Sequence, residues 1–81
     1  MQDTEVNNRH DFVRFVRSLR DDLADGKPYW QNTTLETFLD VMAFWVDESF
    51  PAYLEKEGVD MPPDSCWRRF AEILDASAMY E

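Results

Sequence analysis

Thr33-Thr34-Leu35-Glu36-Thr37-Phe38-Leu39-Asp40-Val41-Met42-Ala43-Phe44-Trp45-Val46 is the stretch whose reading decides the fold. Leu35, Phe38, Leu39, Met42, Trp45 and Val46 recur at the three-and-four spacing of one helical face. Val41, Ala43 and Phe44 widen that face beyond what one neighbour would cover, so this helix is expected at the centre, packed on two sides. Thr33 and Glu36 have capping-box spacing, in which each side chain satisfies the other's backbone donor. Asn32 is the alternative cap.

Upstream, Asn8 is placed as an N-cap with Asp11 at N3, near the positive end of the helix dipole. Phe12, Val13, Phe15, Val16, Leu19 and Leu23 then form an amphipathic helix to about Ala24. Asp25-Gly26-Lys27-Pro28 closes it, because glycine tolerates the left-handed position and proline prevents continuation. Downstream, Pro51 lacks the donor an internal helical position needs, so it is expected in the first turn of a separate short helix over 51–57. Ser49 or Phe50 would stand near the cap of that helix, and Gly58 would end it. Residues 59–63 read as a loop stiffened by two prolines. Asp64 or Ser65 then caps a last helix with Trp67, Phe70, Ala71, Leu74 and Ala78 on its stripe.

The expected architecture is all-α: a compact bundle of three long helices and one short helix. Residues 1–7 are polar and without periodicity, a flexible N-terminus to a single helical domain over 8–81. The chain has 81 residues, 2 of them glycine; tight hairpins consume glycine at positive φ, so the scarcity argues against an all-β fold. A domain this size buries only about 60–65% of its unfolded surface, so the core must come from large side chains such as the 12 aromatics.

The pattern Asp11-Phe12…Phe15-Val16…Leu19…Asp22-Leu23, followed by Trp30-x-Asn32-x-Thr34-Leu35-Glu36-x-Phe38-Leu39, resembles a family of small bacterial domains of unknown function. The closing Trp67-Arg68-x-Phe70-Ala71-x-Ile73-Leu74, with Tyr80-Glu81, is similar to the same family. The resemblance spans about residues 8–81. Two positions depart from it: Ser65-Cys66 stands where members carry proline and serine, and Pro51 is foreign to the pattern. The matching positions are apolar, capping or turn residues, so the resemblance implies a fold and no activity.

Catalytic chemistry finds little to stand on. His10, the single histidine, sits in the first turn of the first helix, where an exposed polar residue is the plain reading. Cys66, the single cysteine, forms no internal disulfide and supplies no cysteine-based zinc site; its plain reading is a small thiol in a reducing compartment. A His10–Cys66 pair would need both within hydrogen-bond reach. Asp21-Asp22 and Asp47-Glu48 are adjacent in sequence, so on a helix they diverge by about 100° and do not converge on one substrate atom. The sequence has no EF-hand spacing, HExxH or Cys/His cluster. We therefore read no enzyme, no metal and no cofactor.

Charge is the one functional signal. The net charge is −9, with residues 1–28 carrying −1 and residues 29–81 carrying −8. Arg9, Arg14, Arg17 and Arg20 decorate the first helix, yet Asp21 and Asp22 dilute them, and a −9 chain is repelled by phosphate backbones. Direct nucleic-acid binding is not expected. Nor is membrane insertion, since no apolar run approaches the ~20 residues a span needs. Asp47, Glu48, Glu55, Glu57, Asp60 and Asp64, against Lys56 alone, form the acidic segment. A segment of this kind either solubilises the surface or steers a basic protein onto it. Trp45 and Trp67 lie in register with core stripes, whereas Trp30, in a connection, is the aromatic expected at a partner contact.

The function expected from the sequence is a non-enzymatic, acidic protein-binding module of the bacterial cytoplasm, an inhibitor or immunity-type protein docking on a basic partner. The alternatives are a homo-oligomerising structural domain with no separate ligand, sharing the second helix's stripe or Trp30 between chains, or an uncharacterised protein of unknown function.

Overall fold

A computed structural model describes residues 4–79. They are all-helical, with no strand among the described residues: α1 spans Arg9–Ala24, α2 Leu35–Phe44, α3 Phe50–Glu57 and α4 Asp64–Met79. The flexible N-terminus expected over 1–7 falls partly outside the described residues, which begin at Thr4. The chain divides into two compact units, Met1–Ala43 and Phe44–Glu81.

In the first unit, α1 forms where the sequence predicts and is closed at both ends. The Asp11 N–H donates to Asn8 Oδ1 at 2.8 Å, and Asp11 Oδ2 accepts from the Asn7 N–H at 3.2 Å. The first bond satisfies one of the donors a helix start leaves open, and the second ties the residue before the cap to the first turn. At the other end Gly26 takes φ +70°; its N–H donates to the Leu23 carbonyl while the Lys27 N–H reaches the Asp22 carbonyl. This is a Schellman closure.

The connection to α2 is fastened by aromatic rings. Tyr29 Oη donates to Asp22 Oδ2 at 2.6 Å, Tyr29 stacks on Trp30, and Trp30 lies 5.8 Å from the Phe38 ring. The cap of α2 sits one residue later than the sequence reading placed it. The Thr37 N–H donates to Thr34 Oγ1 at 3.2 Å, and Thr37 Oγ1 donates to the Thr34 carbonyl at 3.1 Å. Thr34 rather than Thr33 or Asn32 is the cap, and Thr37 rather than Glu36 is its partner. The shift makes Phe38 the fourth helical residue, and Trp30, four residues before the cap, packs on it in the manner of a hydrophobic staple.

The separate short helix expected after Ser49 is corrected. Residues 35–57 form one helical run of 23 residues, interrupted only by a π-helical segment, Trp45–Ser49. Ser49 has right-handed helical angles and makes no side-chain cap bond. Pro51 cannot donate to the Asp47 carbonyl and its ring would collide with it in a regular α-turn. The chain widens instead: the Phe50 N–H donates to the Trp45 carbonyl, five residues back. A π-turn accommodates the proline without ending the helix.

In the second unit, the widening brings Trp45 beside Phe50 at 5.4 Å and Tyr53 at 5.6 Å. Phe50 meets Trp67 of α4 edge-on at 5.8 Å, and Trp67 meets Phe70 at 6.0 Å. The second unit is therefore organised by an aromatic run from Trp45 to Phe70. Gly58, at φ +70°, closes α3: its N–H donates to the Glu55 carbonyl, and the Val59 N–H to that of Leu54. The side-chain cap expected from Asp64 or Ser65 is not made. Both residues lie inside the first turn of α4, which the Cys66 N–H closes on the Pro63 carbonyl at 2.9 Å.

Burial departs furthest from expectation. Among the described residues Leu54 alone is buried. Leu35 (74% exposed), Leu39, Val41 and Phe44 face solvent, so the second helix is not the covered centre its broad stripe predicts. Trp45, expected in the core, is also exposed, with its ring against Phe50 and Tyr53. Trp67 is half-buried.

Candidate functional site

The six acids of the acidic segment all belong to the second unit and all are exposed. Asp47 and Glu48 stand in the π segment, Glu55 and Glu57 in the last turn of α3, Asp60 in the loop and Asp64 at the start of α4. Among the described residues, two ion pairs form, Arg20–Asp21 and Arg69–Glu72, and neither uses any of the six. Lys56, between Glu55 and Glu57, pairs with neither.

Local energetics do not explain this placement. Asp64 is favourably set in the first turn of its helix, but Glu55 and Glu57 stand at a helix C-terminus, where the dipole disfavours anions by about 0.3–1 kcal/mol each. Acids outside ion pairs leave their charge available to an approaching cation.

Apolar side chains interleave with the acids. Tyr53, Val59 and Met61 are 46%, 56% and 47% exposed. A surface that is both acidic and locally apolar suits a partner with basic and apolar groups together. Sequence reasoning assigned these three to no surface. The signal was present, since Tyr53 lies two residues before Glu55 and Val59 adjoins Asp60, but periodicity says nothing of a loop over 59–63 or of a lone aromatic in a short helix.

Trp30 lies in the first unit, apart from the acids in the chain's division. Its indole is half-buried between Tyr29 and Phe38, and its Nε1 is enclosed without a hydrogen-bond partner. Of the paired acids considered for chemistry, Asp21 pairs with Arg20 at 2.9 Å and Asp22 accepts from Tyr29. His10 is exposed in the first turn of α1, and Cys66 is a half-buried free thiol in the first turn of α4. The two residues belong to different units. Among the described residues no group of three or more His, Cys, Asp or Glu side chains is placed to hold a metal ion, and no helix is long and apolar enough to cross a membrane.

No curated protein and no solved structure matches the chain. The tryptophan, threonine and leucine positions that place α1, the Trp30 staple and α4 all fall within a match to a protein family over residues 8–81. The chain belongs to that family, a family of unknown function designated DUF7660.

Proposed function

We propose that this chain is a non-enzymatic protein-binding module whose acidic segment, residues 47–64, docks on a basic site of a partner protein. The observation that carries the reading is the set of six exposed acids without ion-pair partners, two of them held where the helix dipole disfavours them. Such a face raises association rates and selects among partners more than it adds affinity. Tyr53, Val59 and Met61 supply the apolar contact that holds the complex once charge has brought it together. Trp30 offers a separate aromatic contact on the first unit. The biological setting that fits is a small inhibitor or immunity-type protein of the bacterial cytoplasm, which covers a basic site on its target.

The test is a pull-down from a bacterial lysate at low and high salt, with the triple variant Glu55→Lys, Glu57→Lys, Asp60→Lys in parallel. A partner retained by the wild type at low salt and lost by the variant supports the reading. Equal retention by both removes it.

A further inference from the structure

The fourth helix differs from the rest of the second unit in charge. α4 carries Arg68 and Arg69 against Asp64, Glu72 and Asp75, a net of −1 within a chain of −9, and it is neutral after Asp64. Every residue from Arg68 to Met79 is exposed, including Phe70 at 46% and Leu74 at 44%. The one hydroxyl in its second half is satisfied internally, since Ser77 Oγ donates to the Ile73 carbonyl at 2.7 Å. It therefore leaves no open donor facing an apolar neighbour.

We propose that this face is covered by a second copy of the chain, with the two α4 helices antiparallel about a two-fold axis. Charge order selects that occupant. Arg68 and Asp75 are seven residues apart and so share one flank of the apolar stripe. In an antiparallel two-fold pair the same flank of each helix faces its mate, so Arg68 of each copy meets Asp75 of the other, twice per dimer. A parallel pair would instead set Arg68 and Asp75 against the opposite flank, which carries Phe70, Ile73 and Ser77 and offers neither a charged partner. Side-chain size agrees at the centre of the pair, where one register sets Leu74 of each copy against Ala71 of the other, beyond Trp67, which already meets Phe50. A basic partner suited to the acidic segment finds no complement on this neutral face, so the proposal stands independently of that reading.

Sedimentation equilibrium of the full chain from about 1 to 200 μM, a range that brackets ordinary dimer affinities, tests it. The wild type is expected to move from 9.6 kDa towards twice that mass. Arg68→Asp or Asp75→Arg alone should weaken dimerisation about tenfold or more, and the double variant should recover to within about threefold of wild type. Leu74→Asp should stay monomeric while keeping its helical circular dichroism. A wild type that is monomeric throughout, a double variant no better than the singles, or a Leu74→Asp dimer would each overturn the proposal.

Discussion

The Phe50 N–H donates to the carbonyl of Trp45, five residues back, and through this bond Pro51 is held inside a continuous helix. Pro51 has no N–H to give the Asp47 carbonyl, and the widened turn sets Trp45 beside Phe50 and Tyr53. A residue that ordinarily ends a helix has here reshaped one.

Replacing Pro51 by Ala should therefore restore regular α-helical bonding over 45–50. The gained donor outweighs the loss of proline's restraint on the unfolded chain, so stability should rise by about 1–2 kcal/mol in thermal unfolding. Amide exchange at Phe50 should report the changed acceptor. A destabilised Pro51→Ala protein would contradict this account of the π segment.

Gly58 closes α3 at φ +70° with open space where a Cβ would stand. Gly58→Ala should then cost about 1–2 kcal/mol through backbone strain alone, and Gly58→Asn less, because asparagine tolerates the left-handed region. Urea unfolding of the two variants measures the difference. Equal stability of all three proteins would argue against this closure.

The cap of α2 discriminates between neighbouring threonines. Thr34→Ala should cost about 1 kcal/mol, whereas Thr33→Ala should stay within about 0.5 kcal/mol of wild type. The reverse order in denaturant unfolding would return the cap to Thr33.

Trp30 staples α2 through Phe38 but encloses an unpartnered indole N–H. Trp30→Phe keeps the ring contact and removes the orphan donor, so it should lie within about 1 kcal/mol of wild type, while Trp30→Ala should cost about 2–3 kcal/mol. Equal destabilisation by both would assign the indole nitrogen a partner.

The ends of α1 were legible because each depends on a local motif: Asn8 three residues before Asp11, and Gly26 before Pro28. Gly58 was legible for the same reason. The cap of α2 was harder, since Asn32, Thr33 and Thr34 are chemically interchangeable there and the Trp30–Phe38 contact goes with Thr34. The π segment was hidden because Pro51 reads as a breaker whenever only α-turns are considered. The acids of residues 47–64 were plain from composition. Their lack of partners and the exposure of Tyr53, Val59 and Met61 depend on folded surroundings that periodicity does not report.

The central claim is that the acidic segment steers a basic partner. Its most direct measurement is the association rate with that captured partner across ionic strength, for the wild type and the Glu55→Lys, Glu57→Lys, Asp60→Lys variant. Steering predicts a wild-type rate at least about tenfold faster at 20 mM than at 300 mM salt, and a variant slow at both. Equal rates for the two proteins at low salt would contradict it.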